Sequence, residues 1–198
     1  MGSTDIAPDH APAWLVPLST VLLGLGVVSW DLTYILTIRR SLATQSYGLP
    51  AAALVVNITW EAVYGFYVSQ AWLERAGFGL WFLLNLGCAW TTVRFAPQDW
   101  AQTSPWVGRH MAGLMAGLAV VCLWGHWAFV SWWLAEPHRG SGDKTGKWYF
   151  GRDAYDTTEM AFWSAAVAGL LTSACGIAML INRGHSGGID YKICCTYC

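Results

Sequence analysis

Long apolar stretches alternate with short polar connections along this chain, and the alternation sets its architecture. Five stretches, approximately residues 14–38, 49–69, 78–96, 110–134 and 158–181, are long enough to cross a hydrocarbon core, which takes about 20 apolar residues in a helix. The pattern predicts an all-α fold: a polytopic membrane helical bundle of about five transmembrane helices, forming one domain over residues 1–181. Residues 182–198 make an atypical tail rich in cysteine. The first stretch is read as a retained helix rather than a secretory signal, because Asp5 and Asp9 precede it with no Lys or Arg, and its apolar part is too long.

Inside the second stretch the pattern is interrupted. Asn57, Glu61, Tyr64 and Val68 fall at i, i+4, i+7 and i+11, so the three polar groups are expected on one helical face. The fifth stretch carries Ala161, Ala165, Gly169 and Ser173 at four-residue spacing, which predicts a face of close helix packing. Gly24 and Gly26 are assigned to packing as well, since no strand precedes them to make a dinucleotide site. The loop around HRGSGDKTG reads as solvated and mobile.

Composition agrees with a membrane protein: 55% of residues are hydrophobic and only 12% are charged. A net charge of −1 leaves no basic patch for a phosphate backbone, so nucleic acid is excluded as a partner. Of the cysteines, Cys88, Cys122 and Cys175 lie in predicted spans and Cys194, Cys195 and Cys198 crowd the tail, which is no disulfide framework. The tail cysteines lack the partners of a zinc site, and no metal or cofactor is expected. Arg39 and Arg40 favour an N-terminus outside, although Lys and Arg then divide only six inside to five outside.

The candidate chemistry lies in the polar groups within spans. Asn57-Ile58-Thr59 is a formal glycosylation sequon, but an acceptor inside an apolar run cannot meet a soluble sugar transferase. Asp31, Asn57, Glu61, Asn85 and His126 must each find a partner or a cavity. A charged acid at mid-membrane costs about 2.5–3.5 kcal/mol even on the mild insertion scale, so these groups should face inward. A carboxylic acid kept protonated in a dry, aromatic pocket is suited to donating a proton to an olefin or an epoxide, and Glu61 is the candidate donor. The alternative is that Asn57, Glu61 and Asn85 only hydrogen-bond helices together. Asp31, about 12 Å from the end of its helix, is a second acid or reaches water. His126 lines a pocket or packs, because His110, the other histidine near a span, starts the same helix and cannot face it as a second haem ligand. Trp60, Trp90, Trp124 and Trp127 lie deep enough to shield a carbocation.

Several segments in order, SWDLTY with Trp30 and Tyr34, then NITWEAVY, NLGCAW, FAPQDW and GHWAF, resemble those of the fungal integral-membrane terpene cyclases of meroterpenoid and indole-diterpene (paxilline-type) biosynthesis. The resemblance covers about residues 20–180, and its most specific element is N-x-x-W-E at Asn57–Glu61. It implies an enzyme without metal or cofactor that protonates a prenyl chain and directs polyene cyclisation, an isomerase or lyase of secondary metabolism. Glu61 matches the family's acid, with Asp31 as the only other deep acid and Asn57, Trp60, Tyr64, Asn85 and His126 as pocket residues. The implied partners are a hydrophobic prenylated small molecule, the membrane and other enzymes of the same pathway, with residence in the endoplasmic reticulum of a fungal cell. Family members have seven spans and a second functional aspartate in the last. This sequence is therefore expected to be a C-terminally truncated version, its tail an artefact of the gene model. The rival reading is a truncated, non-catalytic relative acting as a membrane helper protein.

Overall fold

The computed structural model describes residues 2, 4–190 and 193. Five helical spans follow one another: α1 (Leu15–Thr44), α2 (Ala51–Glu61), which continues as a π-helical segment (Ala62–Val68), α3 (Trp72–Asp99), α4 (Pro105–Trp133) and α5 (Thr157–Arg183). All are long and apolar enough to cross a membrane. A two-residue hairpin, β1 (Trp148–Tyr149) and β2 (Arg152–Asp153), lies between α4 and α5. The predicted spans are thus all present, with α3 and α4 starting several residues earlier. The predicted cysteine cluster at Cys194, Cys195 and Cys198 lies outside the described residues.

Local chemistry sets the helix ends. α4 opens with Pro105 at its first position, where no N–H is needed. The Asp156 side chain accepts from Glu159 N at the start of α5, satisfying a free backbone donor. Gly184, at φ 66°, ends α5 in the left-handed conformation that glycine adopts without strain.

The second span is the centre of the bundle. It packs against α3, α4 and α5, while α1 leans on α3. Buried side chains form two layers. One gathers Tyr34, Leu54, Val55, Cys88 and Met111; the other gathers Val63, Tyr64, Val68, Val130, Trp133, Tyr149 and Met160. Glu61 falls in the chain between them. The π segment approaches α3 so closely at Gly65 that a Cβ there would lie 2.5 Å from Phe78 Cβ.

Both ends of the bundle are tied. At one end Asp99 accepts from Ser46 Oγ at 2.9 Å and pairs with Arg183 at 3.0 Å, while the Arg183 guanidinium covers the Tyr47 ring. At the other, Lys144 is buried between Asp156 and Glu159, and Lys147 pairs with Asp5 at 2.7 Å.

Four expectations are corrected here. The HRGSGDKTG loop is largely exposed, as expected, but it is not free: its Lys144 is 3% exposed, because the Asp156 and Glu159 carboxylates at the start of α5 enclose it. The small-residue stripe of α5 does not pack; Ala165, Gly169 and Ser173 are exposed, and the inward residues are Met160, Ser164, Ala168 and Thr172. That face repeats every four residues like the predicted stripe but is turned by one position, about 100° around the helix. Gly24 and Gly26 have no neighbour within 4 Å of an added Cβ among the described residues. Trp90, Trp124 and Trp127 point outward, Trp124 at 68% exposure, so Trp60 alone of the four expected cation-shielding tryptophans belongs to the interior.

Candidate active site

Glu61 is the last residue of α2 before the π segment. In that segment the backbone ladder widens by one residue per turn, as Ser69 N donates to Tyr64 O, and such bulges often mark functional sites. Glu61 is 2% exposed. Its Oε1 accepts from Asn85 Nδ2 at 2.6 Å, and Asn85 on α3 is itself wholly buried. Among the described residues, Glu61 Oε2 has no hydrogen-bond partner. Membrane interiors tolerate such a group best as the neutral acid. With Oε1 occupied as an acceptor, the acid hydrogen belongs on Oε2, the oxygen left free to give it up.

The expected single polar face is dispersed among three neighbours. Asn57 Nδ2 donates to the Tyr34 hydroxyl on α1 at 3.0 Å, Glu61 turns to α3, and Tyr64 turns to α4. The cause is central placement: α2 has protein on most sides, so its polar groups are satisfied in different directions.

An aromatic wall stands beside the acid. The Trp60 and Tyr64 rings stack at 4.8 Å, and Tyr64 meets the His126 ring edge-on at 5.8 Å. Phe78 stands edge-on to Trp60 and to Trp81, extending the aromatic line along α3. Trp60 Nε1 donates to Ser164 Oγ on α5 at 2.9 Å, fixing the indole plane. Between α4 and α5 lies a cleft of about 260 Å³ lined by His126, Phe129, Trp163, Ser164 and Val167. It borders the Trp60–Tyr64 pair through Ser164 and His126.

Six of the seven predicted site residues therefore gather around α2: Glu61 with Asn85, Asn57 with Tyr34, and Trp60 with Tyr64 and His126. Asp31 stays apart, half-buried on α1 beside the Trp81 indole. The sequence reading missed Phe129, Trp163 and Val167 of the cleft, and also Ser164, which ties the cleft to Trp60. The signal for Ser164 was the four-residue spacing of Met160, Ser164, Ala168 and Thr172, obscured by a smaller-looking stripe one position on.

The family of Pyr4-like transmembrane terpene cyclases matches residues 4–196. The chain is 32% identical over 186 residues to terpene cyclase ascF of Acremonium egyptiacum, an alignment covering 94% of the chain and 65% of that relative. It is 31% identical over 192 residues to terpene cyclase macJ of Penicillium terrestre, covering 96% and 66%. With terpene cyclase atmB of Aspergillus flavus it shares 28% identity over 181 residues, covering 91% and 64%. The chain thus spans about two thirds of the length of the curated relatives it matches. No solved structure matches it.

Proposed function

Because the chain belongs to the Pyr4-like transmembrane terpene cyclases and is a multi-pass membrane protein, we propose that it cyclises a prenylated small molecule by proton-initiated chemistry. The observation that carries this reading is the Glu61 carboxyl, buried, held at Oε1 by Asn85 and free at Oε2.

In this reading Glu61 gives its proton to a terminal epoxide oxygen of the prenyl chain, or to an olefin carbon. The epoxide C–O bond breaks, a tertiary cation forms, and successive double bonds attack it to close rings. A final C–H bond supplies the electron pair of a new double bond and releases a proton, so the product is an isomer of the substrate. The prenyl chain lies in the α4–α5 cleft, where Phe129 and Trp163 of the lining stabilise positive charge through their ring faces, backed by the stacked Trp60–Tyr64 pair behind Ser164 and His126. Asn57, through Tyr34, holds α2 and α1 in register at the edge of the site. General acid catalysis of this kind contributes about 10²–10⁴-fold, and folding of the polyene by the cleft sets the ring pattern. The enzyme sits in the endoplasmic reticulum of a fungal cell, beside others of a secondary-metabolite pathway.

The test is direct. Microsomes carrying the chain, supplied with an epoxy-prenylated aromatic substrate, should form a cyclised product of unchanged mass, separable by liquid chromatography and mass spectrometry. Recovery of uncyclised substrate across a panel of prenyl lengths and head groups would favour the helper reading.

Asp31 is proposed as a second acid acting at a distance from Glu61 along the Trp60, Phe78 and Trp81 line. Asp31→Asn should then lower turnover by about tenfold, less than the roughly 10²–10⁴-fold of a direct proton donor. Wild-type kinetics in that variant return Asp31 to a structural role.

A further inference from the structure

One cluster takes no part in the chemistry above: the polar loop between α4 and α5, with its buried lysine. Lys144 Nζ donates to Ser141 O at 2.7 Å and Asp156 Oδ2 at 3.1 Å, and it pairs with Glu159. Burial opposes the ammonium, but the hydrogen bonds to Glu159 and Asp156 outweigh it and raise its pKa above the ordinary lysine value. The lysine therefore stays charged, and the loop stays pinned to the first turn of α5.

Further ties hold the same loop from other directions. Lys147 pairs with Asp5, Thr4 Oγ1 donates to Trp148 O at 2.9 Å, and Ile6 N donates to Gly146 O at 2.9 Å, binding the N-terminal segment to the loop. Phe150 N donates to Gln70 Oε1 at 2.9 Å, just beyond the π segment. Trp133 Nε1 donates to Asp156 O at 3.0 Å at the end of α4.

All this anchoring holds an aromatic side chain of the loop inward. Tyr149, 5% exposed, packs with Val63, Tyr64, Val68, Val130, Trp133 and Met160. It closes the layer that holds Tyr64, whose ring is part of the aromatic wall. We propose that Tyr149 is a product-determining seal, keeping water at the bundle end from the cyclised cation. The proposal builds on the cyclase reading.

The cation has two ways to end. A neighbouring C–H bond can become a C=C bond, its proton leaving to a base. Alternatively a water oxygen can form a C–O bond and then release a proton to solvent, giving a hydrate one water heavier than the substrate. A dry chamber favours the first, and the seal decides how dry the chamber is.

Tyr149→Ala and Tyr149→Phe in microsomes test this, read by product mass and by hydroxyl-radical footprinting of Tyr64 and Met160, both wholly buried. The alanine variant should raise the ratio of hydrated to deprotonated product on the order of tenfold, the effect of about 1.4 kcal/mol lost against water. It should also make Tyr64 and Met160 open to labelling, while the phenylalanine variant keeps both readouts at wild type. Should the alanine variant fail to accumulate, Tyr149→Leu, which leaves a smaller opening, carries the same expectations. Continued protection of Tyr64 and Met160, or an unchanged product ratio despite their labelling, overturns the seal. If the wild-type chain forms neither product, the cyclase reading falls instead, and labelling alone decides whether Tyr149 excludes water.

Discussion

Glu61→Gln is expected to remove cyclised product by about 10²–10⁴-fold, the range of general acid catalysis, while protein level and thermal stability stay near wild type. The substitution separates structure from chemistry because glutamine keeps the shape and keeps a carbonyl oxygen. Asn85 Nδ2 can still donate to that oxygen, so the buried α2–α3 contact at 2.6 Å survives. What is lost is the acidic hydrogen on the second position, since an amide N–H does not release a proton to an epoxide. Glu61→Asp keeps the acid but withdraws it by one methylene, which breaks either the Asn85 bond or the approach to substrate. It should fall between the other two forms. Turnover is read by mass spectrometry of the cyclised product in microsomes, normalised to protein by immunoblot. Turnover equal to wild type in the glutamine variant removes Glu61 from the role of proton donor.

The spans were legible because length and composition decide them: a helix must supply about 20 apolar residues to cross a bilayer, and no soluble loop looks like that. Burial within the bundle was not legible, because a membrane-facing side chain and a helix-facing one are equally apolar. Both the α2 span and α5 are apolar enough to cross a membrane, and that apolarity does not tell that α2 is central while the outer face of α5 carries exposed Val167, Leu170 and Ile177. The same degeneracy misled the reading of small residues, where Gly169 faces outward and Ala168, one position earlier, is buried. It also misled the reading of depth, where Trp60 is interior and Trp124 is not.

The polar site residues were legible for the opposite reason. An acid or amide inside a span is costly unless paired, so Glu61 and Asn85 announced that a partner existed, though not which one. The π segment that follows Glu61 left no such mark, and it helps to turn Tyr64 towards His126 rather than in line with Asn57 and Glu61. Likewise HRGSGDKTG looked free because its composition is polar and rich in glycine. What holds it is pairing with Asp156 and Glu159 and, through the neighbouring Lys147, with Asp5, which only the folded chain brings together.

Asn85→Leu should be the second most damaging change, with a split that tells positioning from mere support. Leucine is close in volume but offers no donor, so Glu61 Oε1 is left buried without its partner, at a cost of about 1–3 kcal/mol in stability. If Asn85 served only to join helices, the protein that still folds would turn over at the wild-type rate. The geometry leads to a different expectation. The Asn85 N–H, by occupying Oε1, keeps the acid hydrogen on Oε2; without it the proton is free to sit on either oxygen and the carboxyl to rotate. The kcat per folded molecule should then fall by about tenfold or more, the rate equivalent of 1.4 kcal/mol. KM should hardly move, because in this reading Asn85 touches the acid and not the substrate. Kinetics on the detergent-solubilised variant, normalised to the folded fraction from size-exclusion chromatography, give both numbers. A wild-type kcat would leave Asn85 as helix glue, and a raised KM with unchanged kcat would place it against the prenyl chain instead.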